Sequence, residues 1–83
     1  MKLSVVITAH NNQDMIKDCI KSVDFADEVL VIDNESTDDT VEVAKKADAI
    51  VHKHKNDPTH LNASKNFGFS KAKGDWILSL DTD

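Results

Sequence analysis

The sequence predicts one α/β domain, a three-layer sandwich with a mostly parallel sheet, in the order β-α-β-α-β-α-β. Four short apolar runs without charged residues suit strands that are buried on both faces. Between these runs, apolar residues recur at helical spacing, and the connections are short enough for right-handed crossovers. With 83 residues, the chain has the length of a single small domain.

The first half of the chain predicts two pairs of a strand and a helix. The first strand is predicted at Leu3–Ala9, and the helix after it begins near Gln13 with Asn11 or Asn12 as its N-cap. The second strand is predicted at Val29–Ile32. The helix that follows has polar cap candidates and then acidic residues that complement the helix dipole. These four residues are Ser36, Thr37, Asp38 and Asp39.

The second half of the chain predicts a third pair and a closing strand. A brief strand is predicted at Ala49–Val51, and the polar residues 53–59 form a loop. A helix is predicted at Asn62–Lys71, although Gly68 weakens that pattern. The closing strand is predicted at Trp76–Leu80, with the Trp76 side chain in the core.

Charge and cysteine content exclude several classes of protein. Fifteen acidic residues against ten lysines give a net charge of −5, which argues against nucleic acid or an anionic membrane surface as the main partner. Cys19 is the single cysteine, so the chain predicts no internal disulfide. No stretch approaches the roughly 20 apolar residues of a membrane span, and we therefore expect a cytoplasmic protein without a transmembrane segment.

The carboxyl ends of three predicted strands carry short, mostly polar segments. They are Thr8-Ala9-His10, Asp33-Asn34 and Asp81-Thr82-Asp83. In parallel α/β sheets, ligands bind beyond the carboxyl ends of the strands. The sequence therefore predicts a ligand site at this rim of the sheet.

Asp81 and Asp83 are two residues apart, so in extended backbone both carboxylates point the same way. Such a pair suits a hard divalent cation, Mg²⁺ or Mn²⁺, which is completed by substrate phosphates. A solvated turn is an equally good explanation of this motif alone.

Two further positions are candidates for ligand contact. Asp33 lies where the end of a strand does not require an acid, and its carboxylate can accept hydrogen bonds from a base or a sugar. For Ser36 to Thr40, which follow, we favour a structural role. Lys65 and Asn66 offer a positive charge and an amide for phosphate or base, or else a solvated helix face.

Three histidines leave a choice between a metal site and an ordinary loop. His52 and His54 are two residues apart, and His60 follows them. Two histidines at this spacing can share one face and hold zinc. Since no third ligand falls at zinc spacing, loop histidines are the favoured interpretation.

Four segments in order carry a resemblance that covers nearly the whole chain. Ser4–Thr8 opens the first strand, and Val31–Thr40 corresponds to the pattern V-V-D-x-G-S-x-D-x-T. Lys65–Gly68 corresponds to R/K-N-x-G, and Gly74–Asp83 corresponds to G-D-W-I-x-x-L-D-x-D. With these segments the chain resembles the N-terminal, nucleotide-binding half of the GT-A glycosyltransferases of family 2, in particular the branch that builds lipopolysaccharide cores and other surface glycans. The resemblance implies a partial GT-A fold, which is Rossmann-like.

The resemblance also implies a donor site for a nucleotide diphosphate-sugar. Thr8, Ala9 and His10 would line the nucleotide pocket. Asp33 would hydrogen-bond the base, usually uracil, and Lys65 would contact base or phosphate. The family transfers the sugar from this donor to an acceptor with inversion.

The metal site would come from the last motif of the chain. Asp81 would face the ribose and the metal, and Asp83 would bind the metal directly. The implied cofactor is Mg²⁺ or Mn²⁺, which stabilises the charge of the departing nucleoside diphosphate.

The sequence departs from the family pattern in several places. Glu35 replaces a usual glycine and Asp39 a frequent one, so the turn or the charge beside the nucleotide is expected to differ. His10-Asn11 lies where an aromatic residue often stacks on the base. No aspartate matches the family's acceptor base. Residues 1–83 are therefore expected to form a donor-binding subdomain without the acceptor-binding half, inactive alone.

Two expectations concern the chain as a separate polypeptide. The alternative to a transferase segment is a nucleotide-binding or assembly module without transferase activity. In addition, the closing strand is expected to leave a hydrophobic edge at Trp76–Leu80 that pairs with another chain, so that self-association follows.

Overall fold

The computed structural model describes residues 2–55 and 63–81, and for residues 63–65 and 81 it describes the backbone alone. The element order is the predicted one, with four strands and three helices in these ranges. The elements are β1 Leu3–Ala9, α1 Ile16–Ser22, β2 Glu28–Asp33, α2 Thr40–Lys46, β3 Ile50–Lys53, α3 Ala63–Lys71 and β4 Trp76–Asp81. Most of the predicted loop 53–59, together with His60 and Asp83, lies outside the described residues.

The four strands form one sheet in the order β3-β2-β1-β4, and all neighbours are parallel. The prediction of an α/β fold is confirmed. The central strands β1 and β2 contain two of the uncharged runs, and β2 also includes Glu28 and Asp33 at its ends. Their buried positions reflect cover on both faces. No helix of the described residues has the length and apolar character needed to cross a membrane.

Helices cover the sheet from both sides. The larger core lies on the side of α1 and α2, where Ile16, Ile20 and Ala44 pack with alternate residues of β1 and β2. On the opposite side, α3 packs on β1 and β2. The result is the predicted three-layer sandwich.

α3 has Gly68 at its centre because the helix lies very close to the sheet at this position. A Cβ atom added there would lie 2.4 Å from Val6 Cγ1 and 2.9 Å from Ile32 Cγ1. The helix therefore approaches the sheet more closely than any side chain at position 68 would allow. The residue that weakens the helical pattern of the sequence is the residue that lets α3 dock.

The predicted helix caps are wrong. α1 begins at Ile16 and α2 at Thr40, and neither N-terminus has a side-chain cap. The N–H groups at the start of α1 are satisfied by backbone, because the Asn12 carbonyl oxygen accepts from Met15 and Ile16. The polar side chains that suggested caps bind the neighbouring loop instead, as described below.

The two edge strands also differ from the prediction. β3 extends through His52 and Lys53, so His52 is a strand residue and not a loop residue. Trp76 is 61% exposed, with Ile77 and Leu78 both 43% exposed, so the placement of Trp76 in the core is wrong. β4 lies at the edge of the sheet and pairs with β1 alone among the described strands.

A polar network closes the end of the sheet where the strands begin. The buried Ser4 hydroxyl donates to Glu28 Oε2 over 2.5 Å and accepts the Gly74 N–H over 2.8 Å. The Lys73 N–H donates to the same Glu28 oxygen over 2.9 Å. The Ser4 hydroxyl first, and then the Lys73 N–H, hold the pKa of Glu28 below its ordinary value.

Candidate functional site

Three strand ends form a continuous rim at the carboxyl end of the sheet. Ala9 is paired with Asp33, and Thr8 is paired with Asp81. The Asn34 N–H continues the contact between β1 and β2, since it donates to the Ala9 carbonyl oxygen over 2.8 Å. Of the strand-end residues that the sequence singles out, Thr8, Ala9, Asp33 and Asp81 are therefore neighbours.

Asp33 has the most unusual environment of the rim. Its side chain is 1% exposed, and its Oδ2 accepts the Ser36 N–H over 3.1 Å. Its Oδ1 is buried and has no hydrogen-bond partner in the described part of the chain. A buried acceptor without a donor costs about 1–3 kcal/mol, so native structures keep few of them. Asp33 thus offers an acceptor that the described residues leave unused.

His10 is held in a defined orientation next to this rim. A carbonyl oxygen can only accept, so the His10 Nδ1–H donates to the Asn34 carbonyl oxygen, 2.5 Å away. The Asn11 side-chain amide approaches the other ring nitrogen, His10 Nε2, at 3.4 Å. The imidazole ring is exposed but fixed at both nitrogens. Thr8, Ala9 and His10 therefore follow one another along the same rim.

Asn11 joins the loop after β1 to the loop after β2. Its N–H donates to Ser36 Oγ over 2.9 Å, and its side-chain Oδ1 accepts the Thr37 N–H over 2.7 Å. Beside it, the Asn12 N–H donates to Thr40 Oγ1 over 2.9 Å. The sequence assigned these residues to helix caps, whereas the structure uses them between the two loops.

Asp38 extends the same connection. Its Oδ1 accepts the Thr40 N–H over 2.9 Å and also the Thr40 hydroxyl, while its Oδ2 accepts the Gln13 N–H over 3.3 Å. In return, Gln13 Oε1 accepts the Asp39 N–H over 3.0 Å. The Thr40 hydroxyl is the main cause that lowers the pKa of Asp38. The structural role favoured for Ser36 to Thr40 agrees with these bonds.

Both loops contain a residue with left-handed backbone. Asn11 has φ 52° and Glu35 has φ 56°. Asparagine tolerates this conformation, but for glutamate it costs on the order of 1 kcal/mol. Glu35 stands where the family pattern has glycine, so the turn keeps a glycine-type conformation without the glycine. The departure changes the charge and strain of this turn more than its geometry.

The remaining candidates are placed by their elements. Asp81 ends β4 next to Thr8. Lys65 lies near the start of α3, which connects the carboxyl end of β3 to β4, so its backbone is on the rim side of the sheet. The structure describes neither side chain, and Asp83 lies outside the described residues.

A divalent cation at this rim would depend on carboxylate ligands. Among residues 2–55 and 63–81, no group of three or more His, Cys, Asp or Glu side chains is placed to hold a metal ion. Two carboxylates at a strand end nevertheless fit a hard cation whose remaining ligands are phosphate oxygens and water. The rings of His52 and His54 contact the Phe67 ring, which gives both histidines a packing role.

Asn11, Ser36 and Thr37 are the site residues whose role the sequence did not reveal. They place the two loops that surround Asp33 and His10. The available signal was their composition, since asparagine and serine side chains bind backbone groups and tolerate tight turns. That signal does not distinguish a helix cap from a bond to another loop.

Comparisons with known proteins identify relatives of this chain. Residues 4–83 match the family model of glycosyl transferase family 2. An uncharacterized glycosyltransferase of Rickettsia typhi is 40% identical over 85 residues, which cover 99% of this chain and 28% of that protein. A GalNAc(5)-diNAcBac-PP-undecaprenol beta-1,3-glucosyltransferase of Campylobacter jejuni is 36% identical, and the match covers 99% of this chain and 29% of that protein.

Solved structures show the same fold. Glucosyl-3-phosphoglycerate synthase from Mycobacterium tuberculosis, in complex with Mn²⁺, UDP and glucosyl-3-phosphoglycerate, has a TM-score of 0.83 and 28% identity over 99% of this chain and 33% of that one. The chain thus spans less than a third of the length of the curated relatives named above. Since the family model matches nearly every residue, the chain belongs to glycosyl transferase family 2.

Proposed function

We propose that the chain is the donor-binding segment of a metal-dependent, inverting glycosyltransferase and that it binds a nucleotide diphosphate-sugar, most specifically a UDP-sugar. The family supports the transferase chemistry. The solved relative whose complex contains UDP and Mn²⁺ supports the choice of nucleotide and cofactor. A related structure contains Mg²⁺ and UDP.

The observation that carries the proposal is the unused acceptor of Asp33. Its buried Oδ1 faces no donor of the described residues, whereas Oδ2 is satisfied by the Ser36 N–H. The imide N–H of uracil is a donor that would complete this carboxylate, with the strength of a charge-assisted hydrogen bond. The base would then lie at the rim, beside the fixed ring of His10.

The rest of the donor would extend along the rim from Asp33 toward β4. The small Ala9 and the half-buried Thr8 lie between Asp33 and Asp81 in the sheet. Lys65 would contribute a positive charge to base or phosphate from the start of α3. The Asp81 carboxylate would accept hydrogen bonds that the ribose hydroxyl groups donate.

Asp81 and Asp83 would hold the Mg²⁺ or Mn²⁺ ion together with the two phosphates of the donor. When bound, the cation supplies Lewis-acid stabilisation of the charge on the leaving nucleoside diphosphate. The protein's own part is to bind the base and the sugar nucleotide in one orientation. Inversion also needs a base beside the acceptor hydroxyl, and we propose none within residues 1–83.

We therefore expect the 83-residue polypeptide to bind the donor without efficient transfer. Cys19 is the single cysteine, so the chain forms no internal disulfide. We propose that the protein acts in the cytoplasm.

Calorimetric titration with UDP, with and without Mn²⁺, tests the proposal. We expect binding that requires the metal, and we expect Asp83→Asn to abolish this metal-dependent binding because one of two carboxylates is lost. Asp75→Asn is the matched control, since Asp75 accepts the Lys2 N–H at the other end of the sheet. Metal-dependent binding by Asp83→Asn would contradict the assignment of Asp83. A folded wild-type chain that binds no UDP under either condition would contradict the donor site and favour an assembly module.

We also propose that the outer edge of β4 pairs with a second copy of the chain. Trp76, Ile77 and Leu78 are exposed on β4, which is an edge strand of the described sheet, and an edge strand can pair with a further strand. Analytical ultracentrifugation over a hundredfold concentration range should show a dimer that Ile77→Lys weakens. Ile50→Lys is the matched control, because Ile50 is 48% exposed on the opposite edge strand. A monomer at every concentration would contradict pairing through β4.

A further inference from the structure

His54 is joined to both elements that carry the proposed base and phosphate contacts. Its backbone N–H donates to the Asp33 carbonyl oxygen over 2.8 Å, one residue beyond the last paired position of β2 and β3. Its imidazole lies against the Phe67 ring of α3, with 4.8 Å between ring centroids and 46° between ring planes. His54 therefore connects the strand that ends in Asp33 to the helix that contains Lys65.

Phe67 of α3 contacts rings at the end of β3 and just beyond it. Besides His54, the His52 ring meets it edge-on at 6.1 Å, and Lys71 Nζ lies 5.4 Å from its ring centroid. Phe67 is half-buried and follows Lys65 by two residues. Its packing consequently influences the first turns of α3.

α3 packs mainly on β1 and β2. Gly68 gives α3 its close approach to Val6 and Ile32 but has no side chain to interlock with them. The rings of Phe67 and His54 supply a lateral contact on the β3 side. Aromatic pairs of this geometry contribute beyond the area that they bury.

The orientation of the His54 ring is itself fixed. Its Nδ1 lies 2.9 Å from the Lys55 carbonyl oxygen, which can only accept, so Nδ1 carries a proton. The ring is thus held by its own loop on one side and by Phe67 on the other. A side chain that is constrained at both ends is suited to define the distance between two elements.

We propose that His54 is a positioning residue of the donor site: through Phe67 it sets where α3 presents Lys65 relative to Asp33, without touching the nucleotide. The inference rests on the proposed function, because it assigns His54 to the same UDP site. It predicts that the ring of residue 54, and not its charge, supports nucleotide affinity.

The test compares UDP titrations in Mn²⁺ for His54→Ala and His54→Phe. We expect His54→Ala to weaken binding about two- to tenfold, the range expected for loss of one aromatic pair, and His54→Phe to restore it to within about twofold. Hydrogen exchange of the α3 amides should be faster in His54→Ala and normal in His54→Phe. Phe69→Ala is the matched control, because Phe69 is a half-exposed ring of the same helix with no ring contact among the described residues.

A second measurement separates positioning from general stability. If His54 acts through Lys65, then His54→Ala should cause no further loss of affinity in a Lys65→Ala background. If His54→Ala does not fold, Phe67→Leu removes the other ring of the pair and should give the same loss.

Three results would overturn the proposal: wild-type affinity in His54→Ala, no rescue by His54→Phe, or the same loss with and without Lys65. A wild-type chain that binds no UDP would overturn the proposed function and the affinity effect together. Exchange of the α3 amides would still show, independently of any nucleotide, whether His54 anchors the helix.

Discussion

At the end of the sheet where the strands begin, the Glu28 carboxylate accepts both the Ser4 hydroxyl and the Lys73 N–H. At the other end, the Asp33 carboxylate is almost fully buried, yet only one of its oxygens accepts a bond from the described residues. Both acids lie on β2, at opposite ends. Glu28 is half-buried and both of its bonds go to Oε2, whereas the second oxygen of Asp33 is buried without a donor among the described residues.

Left-handed backbone does not separate the two ends. It occurs at Asn11 and Glu35 on the rim and also at Asp48, between α2 and β3 at the end where the strands begin. Close packing is the feature of the Glu28 end, where Gly74 lies against Ser4. The comparison therefore rests on the two carboxylates and their surroundings, and the following substitutions test it.

The largest effect is expected from Gly74→Ala. A Cβ atom there would lie 2.5 Å from Ser4 Oγ and 2.8 Å from the Ser4 backbone nitrogen, and a backbone atom cannot move aside. We expect a loss of about 2–3 kcal/mol in the free energy of unfolding, measured by urea denaturation. The exposed Lys73→Ala is the control, because it keeps the Lys73 N–H bond to Glu28. An unchanged stability would show that this end of the sheet is not close-packed.

An intermediate effect on stability is expected when the pH is lowered. The pKa of Glu28 is lowered in the fold, so its carboxylate stabilises the protein above the unfolded value of about 4.3. This stabilisation is lost as the pH falls through the lower pKa of the folded state. We therefore expect Glu28→Gln to lose less stability than wild type when urea denaturation is compared between pH 7 and pH 3. Identical losses in both proteins would contradict the role of Glu28.

The smallest effect is expected from Glu35→Gly at the rim. Glycine relieves the left-handed strain at φ 56° but adds freedom to the unfolded chain, so stability should rise by at most about 1 kcal/mol. Removal of a negative charge should also strengthen UDP binding up to about threefold, since two charges near a surface interact weakly. Thermal unfolding and calorimetric titration measure the two changes. A lower stability would mean that the glutamate side chain, and not the turn, is required.

The fold could be predicted from the sequence because its strands are continuous apolar runs. Leu3–Ala9 was predicted with the observed bounds, since a run without charge that is flanked by polar residues fits a central parallel strand. Trp76 was misplaced because an aromatic residue in a strand suggests the core, whereas the exposure of β4 depends on its place at the sheet edge. Sequence periodicity carries no information about which strand is the outer one.

The candidate site could be predicted from the sequence in part. Thr8, Ala9 and Asp33 were assigned to one rim because the carboxyl ends of parallel strands coincide, and the register places them side by side. The bonds of Asn11 to Ser36 and Thr37 were not predictable, because they join loops that are 25 and 26 residues apart. The lack of a donor for Asp33 Oδ1 among the described residues depends on the same loop packing, so it could not be predicted either.

The central claim is that Asp33 serves a ligand and not the fold, and the most direct measurement compares Asp33→Asn with Asp38→Asn. Both acids accept backbone N–H groups near the rim, but the Asp38 oxygens all have donors. We expect Asp33→Asn to weaken UDP binding at least about tenfold, as for loss of a charge-assisted bond, without lower stability. Asp38→Asn should lose stability and keep more of the affinity. Wild-type UDP binding by Asp33→Asn, or a loss of stability with unchanged affinity, would contradict the account.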